Sequence, residues 1–237
     1  MAGHSREAVS PPGRPKAKCA PSGGGSDPRS GGAWGRNNHS MDSLKEEIAA
    51  TAARLVVEEG QEYGAAKRSA IKQLGLPART PLPDNQLLEQ AVREHIELFC
   101  ADTQPGELLS LRRQALEWMQ RLERFRPHVS GAVWHGTATR HSDIYLQLFC
   151  DDPKSAEINL IDMGVRYQPG TVMGLQGEPV DALSIQSRCA ELGGYVGVHL
   201  LIYDLDDQRG AMLADAQGRK PRGDIRALAA LLHDGAL

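Results

Sequence analysis

The 237-residue sequence has no long apolar run and few aromatic side chains, which make up 5% of its residues. A membrane-spanning helix needs roughly 18 to 20 consecutive apolar residues, and no stretch approaches that length. The four cysteines form no C-x-x-C pair and have no histidine at ligand spacing. These absences exclude a membrane-spanning helix and disfavour a zinc knuckle or a disulfide framework, so we expect a cytoplasmic protein with reduced thiols.

The chain also lacks an excess of charge of one sign. It has 27 Lys and Arg against 30 Asp and Glu, which gives a formal net charge of −3. General affinity for nucleic acid comes from an overall positive field, which this chain does not have. We therefore expect no general nucleic-acid affinity, and a polyanion would need a local site.

The first 40 residues lack the apolar side chains of a core, because almost half of them are Gly, Pro or Ser. They also lack the continuous apolar segment of a secretory signal. We expect residues 1–40 to be a disordered tail. As an alternative, translation begins at Met41, because the composition changes there and Ser43 to Glu46 matches a capping box that starts a helix.

Residues 41–126 contain apolar side chains at helical spacing and are predicted to form a helical domain. One apolar stripe ends before Gly60, and a short helix covers residues 65–74. A third helix has Asp84 as its N-cap, and a fourth follows Gly106. The sequence predicts four helices and no strand in this part.

Beyond Pro127 the apolar period shifts towards two, which is typical of strands. Strands are predicted at residues 129–134, 144–149, 180–185 and 196–203. Residues 155–163 fit either a helix or a strand, and a closing helix is predicted at 224–233. The chain is thus predicted to be α+β, with an α+β domain at 127–237.

The stretch from Ser130 to Phe149 carries the clearest functional pattern. Gly131 follows a predicted strand, a polar turn with Gly136 comes next, and Asp143 opens the second strand. A small residue after a strand lets the backbone approach a phosphate closely, and a carboxylate on the adjacent strand can hold Mg²⁺ against it. The pattern predicts a phosphate site with a metal beside it.

About 20 residues here resemble the minimal nucleotidyltransferase superfamily, the polymerase-beta-like nucleotidyltransferases. That family has Gly-Ser or Gly-Gly, a short Arg-containing turn, and then Ser-Asp-x-Asp on the next strand. Gly131 matches the family glycine, Gly136 and Thr137 match the turn, and Ser142-Asp143 matches the start of the metal strand. The resemblance implies a small mixed-sheet domain that binds a nucleoside triphosphate with Mg²⁺ and, if active, transfers a nucleoside monophosphate to a hydroxyl acceptor.

The resemblance also implies roles for particular residues. Nucleotide-binding roles fall to Gly131, Gly136, Thr137, Arg140 and Ser142. Asp143 would hold the metal and act in catalysis, together with a carboxylate from a neighbouring strand. Asp181 is the first candidate for that carboxylate, Asp204 is its rival as a metal ligand, and Glu157 is a third choice if its segment is a strand. Neither spacing nor composition separates these three.

Two departures from the family pattern lie close together. Ala132 stands where the family has Ser or Gly, and Tyr145 replaces the second metal carboxylate. Two-metal chemistry needs carboxylates that bridge ions about 3.5 to 4 Å apart, and a neutral phenol is a poor substitute. Tyr145 therefore favours an alternative in which a catalytically silent nucleotidyltransferase fold serves as a regulatory or interaction module. In that alternative Gly131 and Gly136 simply allow a tight turn.

Chains that look like this one have also been labelled UDP-N-acetylmuramate–alanine ligase. That ligase class holds ATP with a glycine-rich loop that ends in Gly-Lys-Thr or Gly-Lys-Ser. Neither tripeptide occurs in the sequence. The label therefore has no physical support in these residues.

Overall fold

A computed structural model describes residues 34–211 and 218–234. The chain is α+β, with N-terminal helices followed by a mixed six-stranded sheet. In chain order the elements are α1 (Trp34–Glu59), α2 (Tyr63–Gln73), α3 (Asn85–Phe99), α4 (Gln104–Arg121), a 3₁₀ turn (Glu123–Phe125), β1 (His128–Ser130), α5 (Gly131–His135), β2 (Ile144–Phe149), α6 (Pro153–Asp162), β3 (Gln168–Met173), β4 (Pro179–Cys189), β5 (Gly194–Tyr203), α7 (Asp207–Ala211), β6 (Arg222–Gly223) and α8 (Ile225–Asp234). Within the described ranges, no helix is both long enough and apolar enough to cross a membrane.

The sheet has the strand order β3-β4-β5-β2-β1-β6. The central pair, β2 and β5, is parallel, and every other pair is antiparallel. Tyr145 lies opposite His199 across the β2–β5 pair, and Ser184 of β4 lies opposite His199 on its other side. Ser130 at the end of β1 lies opposite Tyr145. This register brings residues that are far apart in the sequence to one end of β2.

The two faces of the sheet differ in character because side chains alternate along each strand. On one face, buried side chains such as Leu146, Leu200 and Leu183 form the main hydrophobic core with α4. Tyr145, His199 and Ser184 lie at the alternate positions and therefore on the opposite face. The opposite face is the one that can carry polar chemistry.

Two large hydrophobic cores are present in the described residues, besides a small cluster around Phe149 and Tyr203. One is formed by α1, α2 and α3, with Leu55 and Leu88 fully buried in it. The other lies under the sheet, and α4 contributes to it through fully buried side chains such as Leu111 and Met119. The packing thus groups α4 with the sheet, whereas a division into domains at residue 126 stays a prediction.

Several local predictions are confirmed. Asp84 caps α3, where its carboxylate accepts a hydrogen bond of 2.7 Å from the Leu87 amide. Asp224 precedes α8 and accepts from the Ala227 amide at 2.8 Å. The ambiguous segment 155–163 is helical and belongs to α6, which Asp152 caps through the Lys154 amide.

Four local features differ from the predictions or were missed by them. The predicted strand at 129–134 stops at Ser130, because Gly131 turns the backbone to a φ of 68° and a short helix follows. Ser43 does not begin a helix, since α1 starts at Trp34 and no proline interrupts it. The edge strand β3 was not predicted, because all of its side chains are exposed and its sequence contains a proline and a glycine. Of the predicted tail, residues 34–40 belong to α1, and residues 1–33 lie outside the described residues.

Candidate functional site

The turn between β1 and β2 delivers Asp143 to the polar face of the sheet. Its first residue, Gly131, takes a positive φ, and α5 ends at Gly136 with a φ of 84°. The hydroxyl of Ser142 accepts from the Thr139 amide at 3.0 Å, and the Ser142 amide donates to the Thr139 carbonyl at 2.8 Å. These bonds close the turn directly before Asp143.

The turn is fixed from both sides by the helices. Gln104 of α4 donates to the carbonyls of Gly136 and Ala138, at 3.1 and 2.9 Å. On the other side the hydroxyl of Thr139 donates to the carbonyl of Val57 in α1 at 3.1 Å. None of these three bonds depends on a ligand, so the turn is preorganised.

A cavity of about 540 Å³ lies between this turn and the α1–α3 core. The helical side contributes the end of α1, the loop before α2 and the first turn of α3, and the sheet side contributes α5, the turn, β2 and β5. The lining residues are Val56, Gly60, Gln61, Glu62, Tyr63, Asn85, Glu89, Gly131, Ala132, His135, Thr137, Ser142, Asp143, Tyr145 and His199. The volume is within the range of roughly 300 to 1,000 Å³ that is typical of small-molecule sites.

Asp143 is held by two groups of β5. Its Oδ1 accepts from the Gly197 amide at 3.1 Å, and its Oδ2 lies 3.1 Å from Nε2 of His199. Because an ionised carboxylate only accepts, Nε2 carries the proton. The hydrogen bond from His199 is the main cause of the lowered pKa of Asp143, and the charge interaction with His199 and the bond from Gly197 act in the same direction.

Glycine is required at position 197 for this contact. A Cβ at that position would lie 2.5 Å from Oδ1 and 2.7 Å from Cγ of Asp143. Real Cβ atoms do not come so close to a neighbouring heavy atom, so a larger side chain would push the carboxylate away. The sequence therefore permits a close approach of Asp143 to β5.

His199 connects Asp143 to β4. Its Nδ1 lies 2.9 Å from the hydroxyl of Ser184, which can donate to it when the imidazole is neutral. The ring of Tyr145 stacks beside His199 with centroids 4.9 Å apart. Asp143, His199 and Ser184 thus form one hydrogen-bonded line that runs from the residue before β2 across β5 to β4.

Tyr145 joins the sheet to the helical part. Its hydroxyl donates to Oε1 of Glu62, in the loop between α1 and α2, at 2.8 Å. Burial is the main cause of the raised pKa of Tyr145, and the Glu62 carboxylate raises it further. The side chain therefore stays a neutral phenol at physiological pH.

The structure brings four of the predicted residues together. Gly131, Thr137, Ser142 and Asp143 all line the cavity. Gly136 does not, since it ends α5 and presents its carbonyl to Gln104. Arg140 is exposed outside the lining, and its backbone amide donates to Glu107 at 3.0 Å.

The candidates for a further carboxylate lie elsewhere. Asp181 occupies the alternate position to Ser184 on β4, so it faces the other side of the sheet, where it lines a small cavity with Glu157. Asp204 follows the far end of β5, seven residues beyond Gly197, which is roughly 23 Å away. Neither Asp181 nor Asp204 is brought to Asp143, and Glu157 is on α6.

Sequence reasoning missed the residues that the helices and β5 bring to the cavity, above all His199 and Glu62. His199 lies in the segment whose alternation of residue types predicted β5, so the face of the strand that His199 occupies could be predicted from the sequence. Its neighbours could not, because alternation does not specify which strands pair. Glu62 is an exposed loop residue with no distinguishing sequence signal.

The side chains on β2 and β5 do not fit a two-metal centre. Tyr145 takes the place of the second carboxylate, and the residue opposite it on β5 is His199, which is not a carboxylate. Among residues 34–211 and 218–234, no group of three or more His, Cys, Asp or Glu side chains could hold a metal ion. Of the predicted metal ligands, Asp143 is the one that lines the cavity.

The charge of Asp143 should make a small, pH-dependent contribution to stability. Its pKa in the folded state is lowered, so the contribution is present above the unfolded pKa of about 3.9 and is lost as the pH falls towards the folded pKa. Because the side chain is 46% exposed, we expect no more than about 1 kcal/mol. Urea unfolding of the wild type and Asp143→Asn should show a stability difference at pH 7 that shrinks at pH 3. A difference independent of pH would contradict this interpretation.

Comparison with known proteins gives limited similarity. No protein-family model matches, and no curated protein matches. Among solved structures, the MgGTP-bound Cid1 poly(U) polymerase is similar with a TM-score of 0.31 and 14% identity, over 46% of this chain and 38% of that chain. Cid1 with the UTP analogue UMPNPP and a cytoplasmic RNA terminal U-transferase each give a TM-score of 0.31 and 16% identity, over 46% of this chain and 36% of theirs. The matched part is thus well under half of the length of these enzymes.

Proposed function

We propose that this chain is a nucleotidyltransferase-like protein that binds a nucleotide in the cavity between the sheet and the α1–α3 core. The observation that carries the proposal is the convergence of Gly131, Thr137, Ser142 and Asp143 on one cavity. The family pattern marks these four residues from the sequence alone, so their position at one cavity is independent support for the proposal.

The lining offers the kinds of group that a nucleotide uses. Ser142 and Thr137 carry hydroxyls near the glycine turn, where a phosphate or ribose oxygen can be bound. Tyr63 and Asn85, on the helical side, offer an aromatic ring and an amide for a base. Orientation by a few polar groups within a partly apolar cavity is the usual arrangement of small-molecule sites.

Transfer of a nucleoside monophosphate to a hydroxyl acceptor would need a metal centre beside the phosphates. Mg²⁺, where present in such sites, neutralises and polarises the phosphates. The residues of β2 and β5 do not fit the centre that this chemistry needs. What this chain's own residues do is orient a ligand, because the turn and Asp143 are already fixed by hydrogen bonds.

A second candidate is a catalytically silent regulatory or interaction module. The observation that favours it is Tyr145, which stands at the place of the second metal carboxylate and stacks on His199 of the neighbouring strand. In this candidate the cavity binds no ligand, and the hydrogen bond from Tyr145 to Glu62 connects the sheet to the helical part. The two candidates differ in whether a small ligand occupies the cavity.

Ligand-dependent stabilisation separates the two candidates. We expect the melting temperature of the full chain to rise with at least one nucleoside or nucleotide of adenine, cytosine, guanine or uracil, tested with Mg²⁺ and with EDTA. A ligand at 100 times its dissociation constant stabilises the native state by about 2.7 kcal/mol, which is readily measured. No rise with any of these compounds would contradict nucleotide binding and leave the interaction module.

A cavity-filling variant localises the effect. Glu62 is exposed at the cavity wall, so Glu62→Trp should block the ligand without opening the core. Glu47→Trp is the matched control, because Glu47 is an exposed glutamate on α1 outside the lining. We expect the nucleotide-dependent rise to be lost in Glu62→Trp and kept in Glu47→Trp. Equal behaviour of the two variants would place the ligand elsewhere.

A further inference from the structure

The carboxylate of Asp143 is already engaged with β5. One oxygen accepts from the Gly197 amide and the other from His199, both at 3.1 Å. A Mg²⁺ ion at about 2.0 to 2.1 Å would have to share these two oxygens with the N–H donors of β5. Both oxygens of Asp143 already hold β5, and His199 is held in turn by Ser184.

The cavity wall is acidic as well. Glu62, Glu89 and Asp143 line it, whereas none of the described lining residues is Lys or Arg. Glu89 is contacted by Arg93 at 2.8 Å and by Arg219 at 3.5 Å. Glu62 is exposed, and it accepts a hydrogen bond from the neutral hydroxyl of Tyr145. The negative charge of Glu62 is therefore not offset by an arginine as that of Glu89 is. In a partly enclosed cavity, like charges repel each other more strongly than they do at the same distance in bulk water.

These two features limit the charge of a bound ligand. A triphosphate carries several negative charges, and it would meet Glu62 and Asp143 with neither a metal centre nor a lining cation to offset them. A nucleoside carries none and a monophosphate carries few. The hydroxyls of Ser142 and Thr137 can hydrogen-bond a ribose or a single phosphate without a metal.

We infer that the cavity takes a nucleoside or a nucleoside monophosphate without a divalent metal, rather than a metal-bound triphosphate. The inference rests on the proposed nucleotide binding and names the ligand class for that same cavity. His199, fixed between Asp143 and Ser184, then forms part of the cavity floor, where a bound base or ribose meets its ring and that of Tyr145.

Calorimetric titration of the full chain tests the ligand class. The nucleoside, 5′-monophosphate and 5′-triphosphate of each of the four bases are titrated with excess Mg²⁺ and with EDTA. For the preferred base, we expect the dissociation constants of the nucleoside and the monophosphate to change by less than about twofold between the two conditions. In EDTA the triphosphate should bind at least about tenfold more weakly than the monophosphate.

The outcomes distinguish the inference from the proposed function. Binding that requires Mg²⁺, or that tightens from monophosphate to triphosphate, would overturn the inference and still support nucleotide binding. Absence of binding by every compound would overturn the proposed function and the inference with it.

Removal of one cavity charge gives an independent test. Glu62→Gln keeps an acceptor for the Tyr145 hydroxyl and removes the negative charge. In EDTA we expect it to tighten triphosphate binding by roughly 3- to 10-fold and to leave nucleoside binding nearly unchanged. Glu47→Gln, outside the cavity, should change neither. An equal effect of Glu62→Gln on nucleoside and triphosphate would contradict a role of its charge.

Discussion

Gly60→Ala is expected to lower the free energy of unfolding by about 2 to 4 kcal/mol. Gly60 follows α1 with a φ of 68°, where a residue with a Cβ is strained by about 1 to 2 kcal/mol. The added Cβ would also overlap the backbone carbonyl oxygen of His141, which cannot rotate away as a side chain can. Urea unfolding at neutral pH measures the difference.

Gly75→Ala is the matched control for this prediction. Gly75 follows α2 with a φ of 65°, and a Cβ there would meet nothing within 4 Å. Its substitution carries the backbone strain alone, so we expect a loss of about 1 to 2 kcal/mol. The difference between the losses of unfolding free energy in Gly60→Ala and Gly75→Ala measures the contact of Gly60 with the turn at residues 137–142. Equal losses of unfolding free energy in both variants would mean that the turn moves away from the added Cβ without destabilising the protein.

The Gly60 contact matters for function because it forms the cavity wall. Gly60 itself lines the cavity, and the nearby Val57 carbonyl accepts from Thr139 in the same turn. A shift of the end of α1 would therefore move the loop that carries Glu62. Gly60→Ala should weaken ligand binding as well as folding, whereas Gly75→Ala should affect only stability.

The local parts of the fold could be predicted from the sequence because they depend on neighbouring residues. Helix α3 follows from apolar spacing and the Asp84 cap, and β5 follows from strict alternation. The step from β1 to α5 could not be predicted in the same way. Its apolar run suits a strand, and only the positive φ at Gly131 shows where the strand ends.

The candidate site was predictable only where it is contiguous in sequence. Gly131, Ser142 and Asp143 lie within one turn, and the structure places them at one cavity. His199 is 56 residues from Asp143, and its place depends on the parallel pairing of β2 with β5. Strand pairing over that distance leaves no local signal, so Asp181 and Asp204 could not be separated from His199 by sequence.

The hydrogen bonds and packing of α4 explain how one helix can support both the sheet and the site. Its Trp118 donates from the ring N–H to the Ser187 hydroxyl of β4 at 2.9 Å. At its other end, Gln104 donates to the carbonyls of Gly136 and Ala138 in the turn before Asp143. These hydrogen bonds attach α4 both to β4 and to the turn before Asp143. The apolar pattern of α4 shows which side chains are buried, and it does not show which core they enter.

Leu111→Ala is expected to lower the free energy of unfolding by about 2 to 5 kcal/mol, because Leu111 is fully buried. The leucine packs in the sheet core, so native-state hydrogen exchange should show the larger loss of protection at the amides of β2 and β5. Leu88→Ala is matched in chemistry and burial, and it should instead reduce the protection of α1 and α3. A division of the chain at residue 126 predicts the reverse for Leu111→Ala, with protection lost in α1 and α3 and kept in β2 and β5. The exchange pattern therefore decides whether α4 folds with the helices before it or with the sheet that carries Asp143 and His199.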